Sequence, residues 1–418
     1  MSDIWHVRGG RRLEGVCRVQ GSKNASLPIL AAAVLAPQRC ELFGVPRLRD
    51  VEASLYILRQ LGCRVEQSGH RLWIDSTALS CCAVPHSLMA QMRSSVLFLG
   101  ALLARCGEAR LSLPGGCRLG KRPIDLHLAA LRKLGAPIEL DGEEVICRGA
   151  CLRGCEIVLP FPSVGATENA LIAACGAKGE SVIRGAAREP EITALAEFLN
   201  ASGAQIRGLG TDTLYIDGFR PVGLVRRRIV PDRIAAATLL CAAAGTGGEV
   251  ELRGFEPGEI SAVLHFLNRA GCDILYENRA LRLRSEGALR APGEIRTEPY
   301  PGFPTDAQPL LMAALLRAEG RTVFHETIFE SRFRHVPELR RLGAEIRCGG
   351  RVAELRGVPA LHGAALRATD LRGGAAMVCA ALAAEGESVI LDEGHIARGY
   401  EALDAELGAL GADIRLEH

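Results

Sequence analysis

The chain has 418 residues, 48% of them apolar, enough for roughly two or three domains with cores of their own and no disulfide or metal staple. Fifty basic residues against 48 acidic ones leave a net charge of +2, without the basic excess that a nucleic-acid binder shows. Fifteen cysteines, an odd number with no CxxC pair, stand mostly among apolar neighbours, as Cys241 does in LLCAAA and Cys379 in MVCAAL; they read as small hydrophobes in a reducing compartment, not as metal ligands or disulfide partners.

The N-terminal MSDIWHVRGGRRLEG has no apolar core of the kind a secretory leader needs. LPILAAAVLA (27–36) is about half a membrane span, so a cytoplasmic chain with no membrane partner is expected. In GSKNASLPILAAAVLA (21–36), Ser22 or Asn24 caps an apolar helix whose unpaired N–H groups, with Lys23 beside them, form an anion site. Lysine is scarce: besides Lys23 there are only Lys121, Lys133 and Lys178, and every other basic residue is arginine.

LRQLGCRV (58–65) opens a repeat that returns as LRKLGAPI (131–138), FLNASGAQI (198–206), FLNRAGCDI (266–274), LRRLGAEI (339–346) and LGALGADI (407–414). The glycines, Gly62, Gly135, Gly203, Gly271, Gly343 and Gly411, stand 68–73 residues apart. In each phrase a helix ends, glycine takes the left-handed C-terminal position, and a strand follows. Upstream of each lies a nearly all-apolar helix, such as SSVLFLGALLA or RIAAATLLCAAA, which must be buried on every side. Short strands such as RLWID and TLYID come downstream. One unit thus reads βαβαββ. The period exceeds the solenoid range of about 20–50 residues, so three units are expected to close around buried helices, with sheets outside. Six units make two such domains, residues 22–229 and residues 1–21 with 230–418. The chain crosses between them at PVGLVRRRIVPDR (221–233), and the domains are expected to face each other across a cleft.

Candidate chemistry begins at LSLPGGCRLGKRPIDLHLAAL (111–131), where Cys117 stands in a Pro-Gly-Gly loop beside Arg118, Lys121 and Arg122. Nearby cations favour the thiolate, and a charged loop tip is poor core material. Gly115, Gly120 and Lys121 nearly match a nucleotide phosphate loop, but Arg122 stands where Ser or Thr would reach Mg²⁺ and Pro123 follows. GLGTDT (208–213) lacks a third glycine and leads into a strand, so it is no dinucleotide fingerprint. YPGFPTDAQPLLMAALL (300–316) puts Asp306 between a double-proline turn and an apolar helix. There Thr305 or Asp306 is a helix cap, or Asp306 is a general base. Arg332, Arg372 and Arg398 each precede or open a helix; with Lys23 and Arg122 they would gather a carboxylate and a phosphate.

GSKNA, LPGGCRLGKRPIDLH, PSVGATEN, AAREPEI, YPGFPTDAQ, RFRHVPEL, ATDLR and ARGYE occur in this order from position 21 to 401. Together they resemble the enolpyruvyl transferases, and among them the UDP-N-acetylglucosamine 1-carboxyvinyltransferases that open peptidoglycan synthesis. The resemblance covers essentially the whole chain. It implies an α/β fold of two inside-out barrel domains, each of three βαβαββ repeats with buried helices. It also implies an addition–elimination: the sugar 3′-hydroxyl attacks C2 of phosphoenolpyruvate while C3 takes a proton, and the tetrahedral ketal then expels phosphate. Cys117 would be the general acid and the thiol alkylated by fosfomycin, and Asp306 would accept the hydroxyl proton. Lys23, Arg122 and Arg398 would be phosphate-side cations, Arg332 and Arg372 would lie nearer the carboxylate, and Asn24 would steady the tetrahedral intermediate. For the sugar nucleotide the resemblance implies Arg93, the run Arg122, Pro123, Ile124, Asp125 and Leu126, then Ser163, Val164 and Gly165, with Asp306 and Ile328. Phosphoenolpyruvate and UDP-N-acetylglucosamine are the expected substrates, with no cofactor, metal, nucleic acid or obligate protein partner.

Four positions depart from the family pattern: Ala397 replaces its usual Asp, Ser331 its usual Asn, Phe161 a Lys of some members, and Ala235 a common acidic residue. Two other readings are the sister transferase acting on shikimate 3-phosphate and a catalytically weak regulatory paralogue. The PGGC loop and PSVGAT stand against the first; retention of Cys117, Asp306 and Lys23 stands against the second.

Overall fold

In the computed structural model, which describes residues 3–89, 92–113 and 124–418, each of the six repeat glycines ends a helix with positive φ, from 94° at Gly62 to 110° at Gly203. In five of them the next residue donates back to the carbonyl five positions earlier: Cys63 to Leu58, Ala136 to Leu131, Cys272 to Leu267, Ala344 to Leu339 and Ala412 to Leu407. This closes the helix end and turns the chain straight into a strand. Gly203 differs, because Ala204 pairs at once with Phe219 and a Cβ at Gly203 would run into the Arg220 carbonyl.

The chain divides into two units, one running from Gly21 to Val230, the other comprising residues up to Gln20 and Pro231–His418. Each has its own apolar core. The nearly all-apolar helices are Lys23–Ala32, Leu97–Cys106, Val164–Cys175, Arg233–Thr246, Gln308–Ala314 and Leu371–Leu382. In Val164–Cys175 every residue from Ala166 onward is buried, and in Leu371–Leu382 every residue after the first. Small residues let the helix backbones approach closely: a Cβ on Gly176 would meet Ala104, and one on Gly245 would meet Ala314. None of the described helices is long and apolar enough to cross a membrane.

The described strands form six four-stranded sheets, one per repeat. In the second repeat Ala83–Val84 runs parallel to Ala109–Ser112, which pairs antiparallel with Glu144–Cys147, and that with Ile138–Asp141. Two repeats borrow their first strand from far along the chain. Leu224–Arg228 lies parallel to Arg39–Phe43 in the first repeat, and Glu14–Arg18 lies parallel to Glu249–Arg253 in the fourth. In the sixth repeat the strand Asp3–Arg8 lies between Asp413–Glu417 and Glu387–Asp392, antiparallel to both.

Candidate active site

In the unit holding the C-terminal half, Pro304 leads into a 3-10 turn, Thr305–Ala307, and then the helix Gln308–Ala314. Neither Thr305 nor Asp306 caps this helix through its side chain. The Thr305 hydroxyl instead donates to Glu326 Oε2 at 3.0 Å, and Asp306 Oδ1 and Oδ2 accept from two arginines. Arg332 Nη2 lies 3.1 Å from Oδ1; Arg372 Nε and Nη2 each lie 3.3 Å from Oδ2. Both guanidinium side chains are almost sealed from solvent, 1% and 2% exposed, while Asp306 is 30% exposed.

Buried cations need paired partners, and the local backbone supplies them. Arg332 begins a 3-10 turn, Arg332–His335, and donates through Nε and Nη2 to the Thr305 carbonyl at 3.0 and 2.7 Å. Asp370 caps the helix Leu371–Leu382 by accepting from the Arg372 and Gly373 N–H groups, and its Oδ1 lies 3.9 Å from Arg332 Nη1. Burial alone would lower the Arg372 pKa, but Tyr400, Asp306 and Asp232 outweigh it and hold the group charged. His335 is pushed down to about 4 by burial, with Arg332 acting in the same direction against Asp370, so it is a neutral spacer behind the arginines. Glu326 Oε1 accepts from the Ile328 and Phe329 N–H groups at 2.8 and 2.9 Å, fixing the loop that carries Ile328.

Arg398 closes a 3-10 turn, Ile396–Arg398. Asp392, fully buried, accepts from the His395 and Ile396 N–H groups at 2.7 and 3.1 Å. The turn is thus anchored from the end of the preceding strand. A Cβ on Gly399 would lie 2.8 Å from the Leu371 side chain, so the glycine lets this turn sit on the start of the helix bearing Arg372.

In the other unit, Ser22 rather than Asn24 caps the helix Lys23–Ala32, accepting from the Ala25 N–H. Lys23 Nζ is 2.9 Å from Asp50 Oδ2, and both side chains are largely buried. An anionic ligand here would share Lys23 with Asp50, while Asn24 is half-buried beside it. Ser163 caps the helix Val164–Cys175, whose first turn holds Gly165. The His127 ring occupies the space where a Gly165 Cβ would be, 2.9 Å from Cε1. This contact joins the start of the helix Asp125–Lys133, with Ile124, Asp125 and Leu126, to Ser163, Val164 and Gly165. Asn169 Oδ1 accepts the Gly100 N–H at 2.8 Å and Nδ2 donates to the Val96 carbonyl at 3.0 Å, so its amide replaces one rung of the helix ladder. Nδ2 also lies 3.2 Å from His127 Nδ1; since the amide nitrogen can only donate, Nδ1 is the acceptor and the imidazole proton stays on Nε2. Sequence reasoning missed His127 and Asn169, although both stand inside quoted motifs, PIDLH and PSVGATEN.

Cys117, Arg122 and Pro123 lie outside the described residues, as does the side chain of Arg93. Among the described thiols, burial pushes Cys40, Cys175 and Cys379 up to about 12, so these are packing groups and not nucleophiles.

A carboxylate gripped by two buried guanidiniums places cations where an anionic substrate could meet them. Residues 7–407 match the family model described as EPSP synthase (3-phosphoshikimate 1-carboxyvinyltransferase). The chain is 46% identical over 413 residues to UDP-N-acetylglucosamine 1-carboxyvinyltransferase of Gluconobacter oxydans (strain 621H), covering 99% of each chain. It is 48% identical over 414 residues to UDP-N-acetylglucosamine 1-carboxyvinyltransferase 1 of Symbiobacterium thermophilum, covering 98% of this chain and 94% of that one. The crystal structure of the enolpyruvyl transferase NikO from Streptomyces tendae superposes with a TM-score of 0.89 at 27% identity, covering 99% of each chain. Likeness of that extent, end to end, makes this chain a member of the enolpyruvyl transferases, in the UDP-N-acetylglucosamine 1-carboxyvinyltransferase family.

Proposed function

We propose that the protein transfers the enolpyruvyl group of phosphoenolpyruvate to the 3′-hydroxyl of UDP-N-acetylglucosamine, releasing phosphate, in the cytoplasm, as the first committed step of peptidoglycan synthesis. The observation that carries this reading is the full-length likeness to relatives named for that activity. The family model is named for the sister reaction on 3-phosphoshikimate, and a shared fold does not choose the acceptor. The two three-repeat units are read as the family's inside-out α/β barrels.

In this reading Asp306 takes the proton of the sugar hydroxyl as its oxygen bonds to C2 of phosphoenolpyruvate, and Cys117 protonates C3. Loss of a proton from C3 as the bond from C2 to the phosphate oxygen breaks then gives the enol ether and inorganic phosphate. Arg332 and Arg372 serve the donor carboxylate; Lys23, Arg122 and Arg398 serve its phosphate; Asn24 steadies the ketal. A donor anion that draws the two guanidiniums toward itself frees the Asp306 carboxylate to accept a proton. Each such clamp on developing charge is worth on the order of 3 kcal/mol. Arg93, Arg122 to Leu126, Ser163 to Gly165 and Ile328 hold the sugar nucleotide.

The test is phosphate release from phosphoenolpyruvate with either UDP-N-acetylglucosamine or shikimate 3-phosphate as acceptor. Release with the sugar nucleotide alone is expected. Release with shikimate 3-phosphate alone would transfer the chain to the sister activity, and release with neither would leave the regulatory paralogue.

A further inference from the structure

We propose that Tyr400 is a positioning residue for this reaction: it presents its phenolic lone pairs to the Arg372 guanidinium and so fixes how that arginine meets the anionic donor. The inference rests on the transfer reading above. Its core is a count of protons along one buried chain of groups. The Thr238 hydroxyl carries a single proton and donates it to the Ile234 carbonyl at 2.8 Å. Toward the Tyr400 hydroxyl, 2.8 Å away, Thr238 can therefore only accept. The one phenolic proton of Tyr400 is committed to Thr238, and its remaining lone pairs are left for the neighbouring Arg372, whose Cζ lies 5.4 Å from the phenol ring centroid. Burial holds the phenol protonated, so the direction of this chain does not reverse.

Arg372 is thereby held from two sides. One edge of its guanidinium, Nε and Nη2, meets Asp306 Oδ2. On another side the Tyr400 ring centroid lies 5.4 Å from Cζ. Nη1 remains buried, with no partner in hydrogen-bond geometry among the described residues. A buried donor left unmet is unfavourable, and an anionic oxygen of the donor substrate would satisfy it. The anchoring helix, Arg233–Thr246, is buried from Arg233 to Ala244 and capped by Asp232 on the Ile234 and Ala235 N–H groups, so the Ile234 carbonyl at the chain's end is a fixed point.

Tyr400→Phe removes the lone pairs and keeps the ring; Thr238→Val removes the acceptor and frees the phenolic proton to turn on the guanidinium. Each is expected to raise KM for phosphoenolpyruvate about tenfold while KM for UDP-N-acetylglucosamine stays within about twofold of wild type. The double variant is expected to be no worse than Tyr400→Phe, because both changes break the same chain. A phosphoenolpyruvate KM near the wild-type value in Tyr400→Phe overturns the proposal. So does an equal rise in both KM values, which would mark a merely structural residue. If Tyr400→Phe does not fold, Thr238→Val decides by the same criteria. Wild-type protein inactive on both substrates would instead sink the underlying reading.

Discussion

Asp306→Asn removes the one carboxylate that two sealed guanidiniums share. Arg332 and Arg372 have side chains 1% and 2% exposed, so neither can turn to water for compensation. Breaking a buried ion pair by removing one partner costs about 3–5 kcal/mol. Arg332 keeps the Thr305 carbonyl and Arg372 keeps Tyr400, which places the loss at the lower end, about 3 kcal/mol. Asparagine retains one acceptor oxygen but sets an NH₂ against guanidinium donors, so it cannot serve both arginines. In a unit of about 200 residues, that loss lowers the melting temperature by about 6–12 °C. In the proposed reading phosphoenolpyruvate supplies the missing negative charge, so saturating ligand is expected to raise the melting temperature of Asp306→Asn more than that of wild type. Calorimetry with and without the ligand measures both effects, and turnover should fall about 10²–10⁴-fold with the proposed base gone. An unchanged transition in Asp306→Asn, or equal stabilisation of both proteins by the ligand, would refute the claim that this carboxylate holds the arginines.

Cys117→Asp is expected to keep turnover and resist fosfomycin, since a carboxylic acid still donates a proton; covalent inhibition persisting in that variant would show the thiol assignment to be wrong. Burial first, then Glu401, Asp232 and Asp404, push Glu406 from an ordinary 4.5 up to about 7. Between those values the unfolded chain releases a proton that the folded chain keeps, so stability falls as pH rises from 4.5 to 7, by at most about 3 kcal/mol. Glu406→Gln should flatten that part of the profile in urea titrations, and a slope unchanged by the substitution would contradict it. Gly343→Ala meets no neighbouring atom and carries only the backbone strain of φ +97°, whereas Gly203→Ala at φ +110° also strikes the Arg220 carbonyl. The first should cost about 1–2 kcal/mol and the second clearly more; equal losses would show that the close approach at Gly203 is unimportant.

The repeat was legible because each unit solves the same local problem: a helix must stop and hand over to a strand. Only glycine does this without strain, so Gly62, Gly135, Gly203, Gly271, Gly343 and Gly411 mark it in one dimension. The strand exchange was not legible. Nothing local in EGVCR (14–18) or LVRRR (224–228) tells which distant sheet will take it, since that choice follows from which partner strand lacks a neighbour. At the site, Asp306 and the arginines were visible as residue types at helix starts. Their pairing was not, because Asp306 and Arg332 come from different turns and a carboxylate before a helix reads locally as a cap. Tyr400, Thr238 and Asn169 look like core residues in sequence; only the positions of their few polar protons give them directional roles.

Reaction in deuterated water separates addition followed by elimination from a direct transfer to the sugar nucleotide. With phosphoenolpyruvate and UDP-N-acetylglucosamine, the expected product is an enolpyruvyl ether on the sugar 3′-oxygen with deuterium in its vinyl group, because C3 passes through a methyl stage that exchanges with solvent. An enolpyruvyl product whose vinyl group carries no deuterium, or no such product on the sugar nucleotide, would contradict it.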